Sequence, residues 1–202
     1  MTKEQADCWD EFYQEQKRPW RGIGKIHDLQ LERGSKVLDI GCGNGKTVSA
    51  LIEMGMDVTG LDFSPTAVNY CIKTFGDKAK FSIAECNRMP FPDNSFDAVT
   101  AVHIFEHLDN LQLSDTIKEI RRILVPGGKV FVRSFAVGDS RAEGKDHDVR
   151  GNGISYRYYT AEQMKEIFEG FDILMMERKD ETMRFGAVRV RIEGLFILPD
   201  DR

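Results

Sequence analysis

"DIGCGNGKT", residues 39–47, closes like a nucleotide-triphosphate loop but is led by an aspartate. A triphosphate loop requires GxxxxGK[ST], and counting back from Gly45-Lys46-Thr47 puts Ile40 where its first glycine belongs. A dinucleotide turn requires GxGxxG, and from Gly41 and Gly43 the third glycine falls on Lys46. Neither pattern fits. The flanks are plain: "KVLDIG" is a β-branched run, and "KTVSALIEMG" carries apolar residues at helical spacing with a glycine stop at Gly55. The stretch is a strand, a glycine turn and a helix.

Outward from this turn the same unit repeats. "MDVTGLDF" predicts a second strand. Ser64 before Pro65 is a helix start, a capping side chain ahead of a proline at the first helical position, and "TAVNYCIKTFG" runs from it to another glycine stop. "AKFSIAE" predicts a third strand, and "PFPDNS" is turn chemistry leading into "FDAVTAVHIF", nearly continuous in apolar residues as a strand buried on both faces should be. "SDTIKEIRRIL" predicts a helix ended by "PGG" at 126–128, and "KVFVRSF" a fifth strand. Upstream, residues 4–16 predict an amphipathic helix with Trp9, Phe12, Tyr13 and Gln16 at helical spacing, followed by the irregular "KRPWRGIG".

Strands alternating with helices imply parallel pairing through right-handed crossovers. The end of the chain departs from this. After a polar, glycine-bearing segment at 138–153, Thr160 and Gln163 form a capping-box pair for a helix reaching Glu169. "FDILMMERK" and "AVRVRIEGLFIL" then follow with no helix between them, and Val188, Val190 and Ile192 alternate with Arg189, Arg191 and Glu193. That pair predicts an antiparallel hairpin with one strand partly solvated. The fold class is therefore α/β: a doubly wound, mostly parallel seven-stranded sheet of Rossmann-like type with a C-terminal antiparallel hairpin. One domain is expected over 1–202, with a helical cap at 1–30, a ligand-binding core at 35–135, and a lid loop, helix and hairpin at 138–202.

In such sheets ligands lie outside the carboxyl ends of the strands near the switch point. Asp39, Asp62 and Glu85 end the first three strands, so three carboxylates would surround the ligand and repel a phosphate chain. A cationic ligand is favoured. S-adenosylmethionine has that character: a sulfonium and an ammonium against one carboxylate, with two ribose hydroxyls and an adenine to be read.

"VLDIGCGNGKT", "GLDFS", "AECNRMPFPDNSFDAV", "FEHL" and "LVPGGKVFV" occur in the order and spacing of the class I S-adenosylmethionine-dependent methyltransferases, which the chain resembles closely over 35–135. The resemblance implies S-adenosyl-L-methionine as cofactor, with S-adenosyl-L-homocysteine as product. It implies that Gly41, Cys42, Gly43 and Gly45 pass the backbone close to the methionine part, where a Cβ would take ligand space and φ is positive. Asp39 would reach the ammonium through water, Asp62 would accept from both ribose hydroxyls, and Phe63 would flank the adenine. Glu85 and Cys86 would meet the adenine edge, by the glutamate side chain or the Cys86 backbone, and His103 would touch the methionine end. Read as residues, Cys42 is more simply a small space filler, and Cys71 a core residue of its helix.

Methyl transfer is an in-line displacement, so alignment of the nucleophile and a preorganised field matter most, and a general base is optional. His107, just past the fourth strand, is the candidate base; alternatively Glu106 and His107 orient that turn. Trp9, Phe12, Tyr13, Trp20 and "ISYRYY" (154–159) either shape an acceptor pocket or pack the first helix on the sheet. "PW" (19–20) near an aromatic helix is similar to small-molecule methyltransferases of the tellurite-resistance and thiopurine types. "RAEGKDHDVRG" (141–151) is expected to be a mobile, solvated loop. His27 and His147 show no partner in the sequence.

The whole chain narrows the choice. With 202 residues, of which 41% are hydrophobic, it can bury a sizeable core, while a net charge of -5 disfavours a dedicated nucleic-acid partner. Its four cysteines make no CxxC pair, which predicts no metal site and a reducing, cytoplasmic setting. No export signal or spanning segment is expected. The expected function is methyl transfer to a small-molecule acceptor. Competing readings are a protein or RNA acceptor, a non-catalytic binder of the same cofactor, and a dehydrogenase, which Lys46 disfavours.

Overall fold

The apolar runs on either side of the glycine turn become parallel strands because both of their faces are covered. In the computed structural model, which describes residues 3–16, 24–183 and 186–200, β1 is Lys36–Ile40, β2 Asp57–Asp62, β3 Lys80–Ile83, β4 Phe96–Val102 and β5 Leu124–Phe135. Two short strands, β6 (His147–Val149) and β7 (Ser155–Arg157), form a separate antiparallel hairpin, and β8 (Asp172–Thr182) and β9 (Val188–Ile197) close the chain. The main sheet has seven strands in the order β3-β2-β1-β4-β5-β9-β8, parallel from β3 to β5 and antiparallel at β9 and β8. The helices are α1 (Lys3–Glu15), α2 (Lys46–Glu53), α3 (Pro65–Phe75), α4 (Asn110–Ile123) and α5 (Ala161–Ile167). Pro19 and Trp20 lie outside the described residues.

The two sheet faces carry separate cores. Leu38 and Ile40 of β1 join Val99, Ala101, Val130 and Val132 on one side, while Val37 joins Val48, Leu51, Val58 and Phe131 on the other. That two-sided burial explains the unbroken apolar runs. The local signals also act as their chemistry requires. Ser64 Oγ accepts from Ala67 N–H at 3.1 Å with Pro65 in the first turn of α3, and Thr160 and Gln163 form a reciprocal capping box on α5.

Three points differ from the sequence reading. Helix α4 begins at Asn110 rather than at Ser114, because Asp109 and Gln112 form a second capping box. It does not end at 126–128: β5 starts at Leu124, and the Pro-Gly-Gly lies inside the strand. Gly127, at φ 71°, makes an irregularity there, so that Phe96 pairs with Leu124 but Ala98 with Lys129. Segment 141–151, expected as a mobile loop, contains β6 and is held against β7, with Tyr156 opposite Asp148. The hairpin does have one solvated strand, as expected, and it is not β9. β9 lies between β5 and β8, and its Glu193, 2% exposed, is paired with Arg133 at 2.6 Å and Lys179 at 2.6 Å. The solvated strand is the edge strand β8. Among the described residues no helix is long and apolar enough to cross a membrane.

Candidate cofactor site

The parallel strands end at a common rim, and the charged residues at their ends are buried rather than solvated. Asp39, at the end of β1, is 2% exposed, and Asp62, at the end of β2, is 4% exposed. Thr100 on β4 donates its hydroxyl to Asp39 Oδ1 at 2.7 Å. The Gly43 N–H donates to Asp62 Oδ2 at 2.9 Å and the Ser64 N–H to Oδ1 at 2.9 Å. Burial pushes Asp39 up to about 7 against the Thr100 hydrogen bond, with the Asp62 charge adding to the rise. Burial likewise pushes Asp62 up to about 6 despite its backbone donors. Neither carboxylate has an ion-pair partner among the described residues. Two acids in this state favour an incoming positive charge.

The glycine turn runs between them. Gly41, Gly43 and Gly45 all have positive φ (63°, 51° and 79°), so the expected backbone need holds. Protein neighbours add a second reason at two of them. A Cβ on Gly41 would collide with Ile104, and one on Gly45 with Phe75 and Cys71, so at these positions glycine clears protein neighbours. Cys42 is buried beside Cys71, whose thiol points at Gly43 O at 3.2 Å. Burial and the Cys71 contact push the Cys42 thiol far up, which fits a space filler.

The other predicted positions separate. Phe63 joins the aromatic cluster above the rim. Glu85 is exposed in the turn after β3, so it is not the third buried acid of the crevice. Cys86 is half-buried and accepts a contact from the Thr116 hydroxyl at 3.4 Å. The third buried acid is Glu106, 2% exposed, whose Oε1 lies 2.7 Å from His103 Nδ1. Burial would raise Glu106, but His103 beside it outweighs that and holds it below the usual carboxylate range. Its Oε2 is buried with no hydrogen-bond partner among the described residues. His103 itself has a positive φ of 61° and stacks on Phe135, ring centres 4.2 Å apart.

His107 is half-buried. Its Nδ1 lies 2.8 Å from Ser155 O, and since a carbonyl only accepts, Nδ1 carries the proton and Nε2 the lone pair when the ring is neutral. Burial pushes His107 below the ordinary imidazole range. The edges of Trp9 and Tyr156 flank it at 4.9 and 4.7 Å. A pocket of about 250 Å³ opens beside it, lined among others by Gln5, Glu106, Asp109, Gln112 and Arg157.

Helix α1 is fastened to the β6–β7 hairpin and to α3. Gln5 binds both Gly153 O and Ser155 N–H, and Ser64 Oγ donates to Asp10 on α1. Trp9, Tyr13, Tyr156, Tyr158 and Ile154 form one buried cluster with Ala67 of α3. Tyr13 sits close enough to Asp62 that burial first, and then that charge, push its phenol far up. The sequence reading passed over Thr100 and the link of Tyr13 to Asp62. A hydroxyl residue within the apolar run 98–102 is the signal available for Thr100.

Comparison with known proteins follows the same lines. The sequence profile of the methyltransferase-domain family matches residues 38–132. A sterol 4-C-methyltransferase of Caenorhabditis elegans is 27% identical over 78% of this chain and 50% of its own length. A sterol 24-C-methyltransferase of Gibberella zeae is 41% identical over 56% of this chain and 31% of its own. The chain thus spans half or less of the length of these relatives. A structurally similar SAM-dependent methyltransferase from Methanosarcina mazei superposes with a TM-score of 0.74 at 21% identity, covering 84% of this chain and 94% of that one.

Proposed function

Because the chain belongs to the class I S-adenosylmethionine-dependent methyltransferases, we propose that it transfers a methyl group from that cofactor to a small-molecule acceptor by in-line displacement. The carrying observation is the pair Asp39 and Asp62, buried at adjacent strand ends without a counter-cation among the described residues. When bound, S-adenosylmethionine supplies a methyl carbon already activated by a sulfonium.

The donor set fits this group. Each Asp62 oxygen uses one lone pair on a backbone N–H and keeps a second, which suits two ribose hydroxyls. Asp39 supplies charge toward the ammonium, with Gly41, Cys42, Gly43 and Gly45 forming the floor. Phe63 flanks the adenine, Glu85 and Cys86 border its edge, and His103 borders the methionine end. His107, neutral and with its Nε2 lone pair available, serves as general base for an acidic acceptor proton.

A small acceptor is favoured over a sterol of the kind named in the relatives. The pocket beside His107 holds about 250 Å³ and is lined largely by polar residues, below the roughly 300–1,000 Å³ of drug-sized ligand sites. Titration calorimetry with S-adenosylhomocysteine tests the cofactor assignment; absence of binding together with micromolar binding of NAD or ATP overturns it. Binding without labelled product across an acceptor screen assigns a non-catalytic binder instead.

A further inference from the structure

Beyond the carboxylate rim, the opposite charge gathers. Asp139, 2% exposed, accepts from Arg141 Nε at 2.7 Å and Nη2 at 2.8 Å, and Arg189 Nη1 lies 3.5 Å from the same Asp139 Oδ1. Arg141 also lies over the Phe135 ring, 3.8 Å from its centre. Arg150 reaches the same ring at 6.0 Å and stacks on Tyr156 at 3.4 Å, with Nη2 at 3.3 Å from the Tyr158 hydroxyl. Three guanidinium groups therefore converge through one carboxylate and one ring.

The charges do not cancel. Asp139 is engaged by Arg141 in a two-pronged pair, and Arg141 holds it down to about 2 although burial opposes this. Arg150 makes no ion pair among the described residues, and Asp148, opposite Tyr156 in the hairpin, bonds to none of the three. Arg189 Nη1 is buried and reaches only the already engaged Asp139, at 3.5 Å and without a hydrogen bond among the described residues. Arginines merely fastening a hairpin would have their donors matched.

The position is also specific. Phe135 ends β5 and stacks on His103, and Tyr156 contacts the edge of His107. The cluster thus adjoins His103 through Phe135 and His107 through Tyr156. We infer that Arg141, Arg150 and Arg189, backed by Phe135 and Tyr156, form an acceptor subsite for an oxyanion, so that the methyl acceptor is a molecule bearing a carboxylate or phosphate. This rests on the reading of the crevice as a methyltransferase site. Planar forked donors recognise such anions, and the Phe135 and Tyr156 rings on which Arg141 and Arg150 lie hold two of the forks in place.

The test uses the whole chain saturated with S-adenosylhomocysteine and three probes: benzoate, phenyl phosphate and the neutral benzamide. The wild type is expected to bind one of the anions at least roughly tenfold tighter than benzamide, and the stronger of the two identifies carboxylate or phosphate as the group read. R150Q and R189Q should each remove most of that preference while S-adenosylhomocysteine affinity stays within about twofold. R189K, which keeps the charge, should retain part of it, and a melting curve on each variant separates binding from folding. If R189Q unfolds, R150Q alone decides. Benzamide binding as tightly as both anions, or an R150Q chain with its anion preference intact, overturns the subsite. Absence of S-adenosylhomocysteine binding overturns the cofactor reading instead, and the anion titrations repeated without it still judge the arginines.

Discussion

The Thr100 hydroxyl and Asp39 Oδ1 are 2.7 Å apart and occupy the same rung of the ladder between β4 and β1. A polar side chain flanked by the apolar residues Ala98, Val99, Ala101 and Val102 thus meets the one acid that its neighbour buries. The pairing holds the carboxylate in a fixed direction at the rim without neutralising it. Burial outweighs that hydrogen bond and leaves a fold that is less stable when this acid is charged.

The sign of that effect is definite. Asp39 titrates near 7 in the folded chain against an ordinary 3.8, so its contribution to stability is complete below about pH 4 and is lost as pH rises through 7. Asp39→Asn should therefore raise the melting temperature of the ligand-free chain at pH 8 by roughly 5 °C and change it little at pH 4. Thr100→Val should lower it, and more at pH 8 than at pH 4, since the hydroxyl favours the charged form. Thermal melts at the two pH values decide; an Asp39→Asn chain less stable at pH 8 contradicts the account.

Cofactor binding should show the complementary dependence. A cation arriving beside Asp39 and Asp62 stabilises their charged forms, so protons leave on binding and affinity rises with pH between about 5 and 8, by up to about tenfold per unit. Calorimetry of S-adenosylmethionine in phosphate and in Tris should give enthalpies that differ by the buffer's protonation heat. A flat affinity across that range would remove the carboxylates from the site.

Much of this was legible because it is written in local chemistry. The strand after strand order, the Ser64–Pro65 helix start and the Thr160–Gln163 box depend on residues within a few positions of each other. What escaped depends on distant partners. Glu85 and Glu106 look alike in sequence, and only the packing of His103 and His107 on Glu106 buries one while the turn after β3 exposes the other. The pattern on β9 suggested a solvated face because pairing of Glu193 with Arg133 on β5 and Lys179 on β8 cannot be read from β9 alone. The arginine cluster joins residues 139–150 to Arg189, a juxtaposition that the order of the last strands creates.

Asp62 has two tasks that can be separated. Its oxygens hold the Gly43 and Ser64 amides, and by the present proposal they also read the ribose. Asp62→Asn should weaken S-adenosylhomocysteine binding by about 2–3 kcal/mol, the order of hydrogen bonds to a charged acceptor. The wild type should discriminate against the 2′,3′-dideoxy analogue by a similar factor, and the variant should have lost most of that discrimination. Equal loss for both ligands assigns Asp62 a purely structural part.

Gly41 offers a test of why the turn needs glycine. Its φ of 63° and the Ile104 side chain both oppose a Cβ, so Gly41→Ala should cost on the order of 2 kcal/mol or more. Ile104→Val removes the Cδ1 methyl that the new Cβ would strike, and adding it should recover part of the loss. Denaturant melts of the single and double variants measure the coupling; additive losses would show that backbone strain alone sets the requirement.

His107 either holds the hairpin or takes a proton, and one substitution distinguishes these. Asparagine keeps an N–H close to the position of Nδ1, and with it the bond to Ser155 O, but has nothing in place of Nε2. If Nε2 is the base, His107→Asn should lower kcat by about 10²–10⁴ with the melting temperature and cofactor affinity nearly unchanged. Burial keeps the wild-type imidazole neutral down to a pH below its ordinary range, so wild-type kcat should hold from pH 8 down to about 6.5 and fall only below that, while the variant loses this acid limb. A His107→Asn enzyme with full kcat and an unchanged pH profile would leave the histidine as a fastening for β7 and show that the acceptor needs no base.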